Sequence, residues 1–443
     1  MSYSANKPND LEYLGSRASG FGAWSPEEPL TPLRRSWLDF ADHTLEWFHQ
    51  PDLEALRIHA AVLLSHYLLT ELPIWLFIIG ESSSGKTALF INPFERLPQA
   101  NIKSNITPKS FLSGRGGSSS MLTRDGKSSI WLFKDFTSIL QMKHEDLKSI
   151  MKYLREIYDG KVFNETGADA GKLAWEGKIT CCAACTYSLD RAWSIHSELG
   201  ERFLRLNLRS PNLEGAHYAA MAQVGKQASI NQTLQRLAQG WLLNAYRFWE
   251  SLGTVPHNQF KSFVLPDQPA DPETSAMLYS FSLIISRCRM TTDWDFLRKE
   301  IVRIGKMELT PRVSRNLWLL MLSHARLFGR TNPTHEDFSI VQRITLDSIT
   351  EDRRLILSHV PTTGPIQYKA LRRSLRGLAL RQFKEALEEL IAIQILNRRA
   401  PPASATEFDD DEIFFTPEFQ PHFAKLYSLN NLTQNVIPFS KKA

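Results

Sequence analysis

The sequence predicts an α/β chain: a mostly parallel sheet with helices on its faces, then a helical region, then a small block of three helices and two strands. Three observations predict it. Apolar, strand-length runs at 74–79, 129–133, 178–186 and 203–208 alternate with helical patterns, as parallel strands joined by crossovers require. Residues 215–350 carry helical spacing with few strand signals. The block 351–425 reads helix, helix, helix, strand, strand, which is the outline of a winged helix-turn-helix.

Each element follows from its residues. Positions 1–30 are rich in Pro, Gly and Ser and are expected to form a tail. Positions 33–70 are helical: Trp37, Phe40, Leu45 and Phe48 fall near helix spacing, as do Leu53, Leu56, Ile58 and Leu63. The run 74–79 is a buried strand, 146–158 a helix, and the next two strands are 178–186 and 203–208. In the last block, helices are expected over 352–359, 367–375 and 380–394, with strands at 396–399 and 413–416. The resulting division is a tail at 1–30, a helical lead-in and α/β core at 31–210, a helical region at 211–350, and the C-terminal block at 351–443.

Composition sets limits. The 443 residues, 43% hydrophobic and 22% charged, supply core material for two or three domains. A net charge of +5 and a pI of about 8.9 permit a nucleic-acid partner without demanding one. The first ten residues lack an apolar segment, and 74–79 is far too short to cross a bilayer, so the expectation is a cytoplasmic protein without a membrane partner. Cys181, Cys182 and Cys185 lie in a strand-like run with no His/Cys pair at zinc spacing elsewhere, so they read as core.

The strongest motif is Gly80-Glu81-Ser82-Ser83-Ser84-Gly85-Lys86-Thr87, which matches G-x-x-x-x-G-K-[ST] in full. An apolar strand precedes it, and Ala88-Leu89-Phe90-Ile91 opens a helix after it. The glycines let backbone N–H groups face phosphates. Lys86 would reach the β and γ oxygens of ATP, and the Thr87 hydroxyl would hold Mg²⁺. Such a site needs an acid at the end of a neighbouring strand, and Asp135 is the candidate. Two readings stay open: Asp135 is the magnesium-side carboxylate with no glutamate after it, or it takes the water-activating place with Lys134 where an acid is expected.

With these motifs in order, the chain resembles the AAA+ ATPases, and among them the minichromosome-maintenance-like helicases, over roughly 70–420. Phe133-Lys134-Asp135-Phe136 resembles that branch's Walker B stretch. The segment from Gly160-Lys161 to Lys172 is similar to the hairpin that precedes its sensor 1 strand. On that strand the family places Asn, where this chain offers Cys185 or Thr186, and Thr186 is the better hydrogen-bonding group. Leu199-Gly200-Glu201-Arg202-Phe203 resembles the arginine-finger segment, although Arg202 paired with Glu198 or Glu201 remains open. Thr310-Pro311-Arg312-Val313-Ser314-Arg315 resembles the α-helical lid, with Arg312 as sensor 2 or as a solvated arginine behind a helix cap. Thr334 and Asp337 read as a cap. The chain departs from the family at Lys134 and in lacking a long N-terminal DNA-binding domain.

The resemblance implies a P-loop AAA+ core, a lid and a winged helix. It also implies ATP and Mg²⁺ as cofactors, DNA as partner, and a homo-oligomer, hexameric in the family. Phosphate-neutralising candidates are Lys369, Arg372, Arg373, Arg381 and Lys384 in the C-terminal block, and Lys161, Lys172, Arg124 and Lys127 around the hairpin and an Asp125-Gly126 turn. The first functional expectation is a DNA helicase or translocase serving a phage, plasmid or mobile element, alongside its replication proteins. The second is an ATP-switched initiator, helicase loader or transposition regulator. The third is a defence or signalling ATPase.

Overall fold

The computed structural model describes residues 31–69, 72–104, 106–111, 120–165, 172–191, 202–252, 270–295, 297, 300–400 and 410–428. The described residues fall into two units, one of Thr31–Leu278 with Gly305–Pro333, the other of 279–304 with 334–428. Boundaries expected at 210/211 and 350/351 both fall inside a unit.

The first unit opens with helices α1 (Pro32–Trp47) and α2 (Leu53–Leu68), separated at Gln50, which sits at φ +46, and Pro51. Thr31 and Asp52 cap them by accepting from Arg34 N and Ala55 N. Five parallel strands follow: β1 (Trp75–Ile79), β2 (Ala100–Lys103), β3 (Ser128–Phe133), β6 (Lys178–Cys185) and β7 (Phe203–Asn207). They lie in the order β2-β3-β6-β1-β7. β4 (Lys161–Glu165) and β5 (Lys172–Glu176) form a separate antiparallel hairpin between β3 and β6 in the chain.

The inner strands are apolar throughout because both faces of the sheet are covered. Trp75, Phe77 and Ile79 share a core with Trp131, Phe133 and Phe203 and with α3 (His144–Tyr158). Phe77 and Phe203 stack with centroids 3.9 Å apart. The alternate residues Leu76 and Ile78, equally buried, turn to the face that α2 covers. Removing either stacked ring would cost about 3–5 kcal/mol in lost burial and cavity.

In the first unit three features differ from expectation. β2 gave no signal in the sequence, because Ala-Asn-Ile-Lys at the sheet edge is only half-buried. The segment after the Gly-rich loop forms one π turn (Thr87–Ile91) and one 3-10 turn (Asn92–Phe94), and stops there because Pro93 cannot continue a helical hydrogen-bond ladder. Asp125 and Gly126 end a short helix (Met121–Asp125) instead of forming a hairpin turn.

After β7 come α4 (Leu213–Ala222) and α5 (Gln227–Ser251), which packs on α1 through Trp37, Phe40 and Trp241. α6 (Pro272–Cys288) runs through the boundary between units. α7 (Pro311–Leu327) returns to the first unit and packs on α2.

The second unit contains a β8–β9 hairpin (Thr292–Asp295, Glu300–Ile304), unexpected in the sequence because its side chains are mostly exposed. α8 (His335–Asp347) starts with the capping box that Thr334 and Asp337 suggested. Then follow α9 (Glu351–Leu357), β10 (Ile366–Gln367), α10 (Tyr368–Ser374), α11 (Leu380–Ala392), β11 (Leu396–Arg399), β12 (Glu412–Phe415) and α12 (Gln420–Ser428). β10, β12 and β11 make one antiparallel sheet. Arg353 ties this unit together, donating to Glu389 at 3.0 Å and to the carbonyls of Cys288 and Met290.

Candidate functional site

Parallel strands put every loop that follows a strand on one edge of the sheet. The Gly-rich loop follows β1, Asp135 follows β3, and Thr186 follows β6. Register fixes their levels: Ile79 lies beside Cys185, and Phe133 beside Ala183. Gly80 N donates to Cys185 O at 3.2 Å, so the loop springs directly from the sheet.

The loop is bent by two left-handed residues, Ser83 at φ +64 and Gly85 at φ +80. Glycine adopts that conformation without strain, whereas serine does so at a cost. A Cβ on Gly80 would fall 2.8 Å from Ser84 Oγ, so a larger residue there would have to displace that hydroxyl. Lys86 folds back into it and donates to Gly80 O at 2.8 Å, Glu81 O at 2.5 Å and Ser84 Oγ at 3.3 Å. Burial pulls its ammonium below the usual lysine range, while Cys185, Asp135 and Glu81 act the other way. Glu81, Ser82, Ser83 and Thr87 are exposed.

Asp135 is exposed, and its Oδ1 accepts from Thr137 N at 2.9 Å. Thr137 Oγ1 accepts from Thr186 N at 3.0 Å and lies 3.3 Å from Thr186 Oγ1. Thr186 Oγ1 also meets Ser188 Oγ at 2.8 Å. The threonine pair thus locks the ends of β3 and β6 together. Cys185, the other sensor candidate, is buried. Lys134 lies on a different wall: with Asn92, Glu95, Arg96 and Gln235 it lines a polar cleft of about 480 Å³.

A loop of backbone amides, a lysine that can leave its carbonyl partners, an exposed threonine hydroxyl and an exposed carboxylate fit a triphosphate with a divalent cation. Among the described residues no cluster of His, Cys, Asp and Glu would hold a metal by itself. The three strand cysteines are buried and free, with burial raising the Cys181 and Cys182 thiols.

Arg202 stands at the opposite edge. It precedes β7, whose Phe203 pairs with Trp75, so it lies at the level of Ile74. Six residues of strand separate that level from Gly80, roughly 20 Å. Arg202 is buried and bound to Asp159, a partner four decades earlier in the chain that no local pattern reveals. Glu198 and Glu201 lie outside the described residues. Arg312, in the first turn of α7, donates to Glu308 at 2.6 Å. One turn later Asn316 accepts from Tyr158 Oη at 3.1 Å, and Tyr158 lies under the Arg202 guanidinium. Both arginines therefore belong to the Tyr158 side of the unit.

The hairpin is also anchored at that edge. Trp175 Nε1 donates to Gly126 O at 3.0 Å, and Lys178 N to Lys127 O at 2.7 Å. Arg124 and Lys127, both exposed, flank this anchor. The hairpin's charges are matched in register, Lys161 with Glu176 and Lys172 with Glu165, and Lys161 and Glu176 form a 3.1 Å ion pair.

In the second unit the basic residues divide. Arg372 donates to Leu375 O and Leu378 O, Arg381 binds Glu385, Arg398 binds Glu388 and Asp411, and Arg399 binds Glu412. Lys369, Arg373, Arg376 and Lys384 are exposed and have no ion-pair partner among the described residues.

No protein-family model matches the chain, and no curated protein matches it either. Among the described residues, no helix is long and apolar enough to cross a membrane.

Proposed function

We propose that this chain is a ring-forming ATPase of the AAA+ kind that acts on DNA as a helicase or translocase, with its second unit a winged helix. One observation carries the reading. Lys86, Asp135 and Thr186 converge at one edge of the sheet, while Arg202 stands at the other edge, too far to serve its own chain's loop. A site with all four groups needs two copies.

In that reading the amides of Gly80–Thr87 and Lys86 hold the phosphates of ATP, and Thr87 with Asp135 holds Mg²⁺. The cation supplies charge neutralisation on the phosphates. Thr186, fixed by Thr137, presents a hydroxyl to the attacking water. Arg202 and Arg312 of the next copy face the charge that develops in the transition state. The strand order and the hairpin between β3 and β6 support the AAA+ assignment. The sheet of β10, β12 and β11 behind α10 and α11 supports the winged helix.

Two observations favour a second reading, an ATP-switched initiator, loader or transposition regulator. Lys134 stands where a motor carries an acid, and Lys161 of the hairpin is already paired with Glu176. Strand-displacement and ATPase assays on the same DNA separate the two. Displacement that requires ATP supports the motor. DNA-stimulated hydrolysis without displacement removes the helicase and leaves a translocase or the switch. Unchanged ATP affinity in Lys86→Ala would remove both.

A further inference from the structure

The polar cleft that Lys134 lines holds about 480 Å³, a volume that suits a small organic ligand. Three stretches of the first unit wall it. Lys134 follows β3 and is the residue before Asp135. Asn92 and Arg96 come from the turn after the Gly-rich loop, and Asn92 N donates to Thr87 O. One peptide bond and one hydrogen bond therefore join the lining to Asp135 and Thr87. The third wall is α5, which packs on that turn. It turns one face to the cleft, with Ala228, Asn231, Gln232 and Gln235 at i, i+3, i+4 and i+7.

The lining is polar and largely unspent. Among the described residues, the side chains of Lys134, Arg96, Asn92, Asn231 and Gln232 make no hydrogen bond or ion pair. Gln235 is the member already in use: its Nε2 donates to Asn92 O at 3.1 Å and to Glu95 Oε1 at 2.7 Å, which braces α5 on the turn. Ala228 lies in the first turn of α5, and no side chain caps that turn. Its N–H groups and the positive end of a long helix add to the two cations. Glu95 is the one acid in the lining, so the balance is positive. Cations beside a helix start call for an oxyanion. Amides and the second oxygen of Glu95 donate and accept, as hydroxyls require. The space exceeds what one oxyanion fills. Among the described residues no aromatic ring lines it, so nothing there stacks a base.

We propose that this cleft binds a phosphorylated, hydroxyl-bearing small molecule of the sugar-phosphate class. Its phosphate would sit on Lys134, Arg96 and the first turn of α5, and its hydroxyls on Asn92, Asn231, Gln232 and Glu95. The site needs neither ATP hydrolysis nor a ring, and it stands whatever Gly80–Thr87 holds. A ligand there would bridge the Thr87 turn to the end of β3.

The test titrates the full chain with ribose 5-phosphate and with glucose 6-phosphate by calorimetry. At least one should bind the wild type, and should bind Lys86→Ala within about twofold of it, because Lys86 does not line the cleft. Arg96→Ala and Lys134→Ala should each weaken that binding about tenfold, as the loss of one charge-assisted hydrogen bond does. Both side chains are exposed, so the fold is not at stake. The double change Asn231→Ala, Gln232→Ala should weaken the sugar phosphate and leave orthophosphate within about twofold. No binding of either probe at about 10 mM overturns the proposal. So does binding that Lys86→Ala abolishes while Arg96→Ala and Lys134→Ala leave it intact, which would put the phosphate in the Gly-rich loop. Orthophosphate that binds as tightly as the sugar phosphates overturns it too, since the amides would then read nothing. A single-stranded oligonucleotide that displaces the probe and binds more tightly would make the cleft a groove for a strand, and would overturn the small-molecule assignment.

Discussion

Arg202 donates through Nη2 to Asp159 Oδ2 at 2.8 Å, and its guanidinium lies 5.4 Å from the centre of the Tyr158 ring. The arginine is therefore stored on its own chain, and its use by a neighbour means giving up Asp159. Arg202→Ala should leave ATP affinity unchanged and lower turnover by about a thousandfold. Arg202→Lys should not restore it, since lysine lacks the planar fork. Mixed wild-type and Arg202→Ala subunits should hydrolyse less than the average of the two. A rate on that average would mean that Arg202 does not act across copies.

Asp135 and Lys134 are neighbours with different surroundings. Asp135 shares its edge with Lys86, whose charge it supports, whereas Lys134 lines the cleft of Asn92, Arg96 and Gln235. Asp135→Asn should retain nucleotide binding and lose Mg²⁺-dependent hydrolysis by at least a hundredfold, and Lys134→Ala should change the rate by less than about threefold. A large loss in Lys134→Ala would move the working position one residue upstream.

Four of the five strands were legible because parallel strands covered on both faces must be apolar along their whole length, as Trp75–Ile79 is. The Gly-rich loop was legible because phosphate geometry demands its spacing. β2 was hidden because it is only half-buried, unlike β7 at the other edge, and Ala100–Lys103 looks like loop. The stop at Pro93 could have been read from the sequence, since proline ends a helical ladder wherever it falls past the first turn. Asp159 as the partner of Arg202 could not, because the pairing depends on how α3 and β7 meet. The same holds for the acids that cancel Arg381, Arg398 and Arg399: composition shows both signs nearby, and only the fold says which charges meet.

His59 and His66 are buried on α2, and burial lowers both to about 3; beside His66 the Lys178 charge adds to the lowering and Gln99 opposes it. Free histidine titrates near 6.5, so between pH 6.5 and 3 the unfolded chain binds protons that the folded chain refuses. Stability should therefore be flat above pH 6.5 and fall as pH drops through that window, by up to about 1.4 kcal/mol per pH unit for each histidine. The two differ in partners. His66 meets Thr180, Gln99 and Ser128, whereas both ring nitrogens of His59 are unpaired against Phe90 and Phe94. His59→Leu should raise stability at pH 7 by about 1 kcal/mol and flatten the acid slope. His66→Leu should also flatten it but lower stability by about 1–3 kcal/mol, because it strands polar partners. Denaturant unfolding at pH 5, 6 and 7 reads both, and a steeper acid slope in either variant would contradict the sign.

DNA affinity should follow which cations are unpaired. Arg398 and Arg399 are bound to Glu388, Asp411 and Glu412, so phosphates would have to compete with carboxylates already in place. Lys369, Arg373 and Lys384 face no such competition. Each phosphate contact releases condensed counterions and contributes roughly 0.9 to the slope of log affinity against log salt. Lys384→Ala and Arg373→Ala should each lower that slope by about 1 on duplex DNA, with weakening on every sequence. Arg398→Ala and Arg399→Ala should leave it within about 0.3. Fluorescence anisotropy from 50 to 200 mM salt measures the slopes. Equal slopes in all four variants would place the DNA away from α10 and α11. The exposed residues Arg124 and Lys127, beside the hairpin anchor, would be the next to mutate.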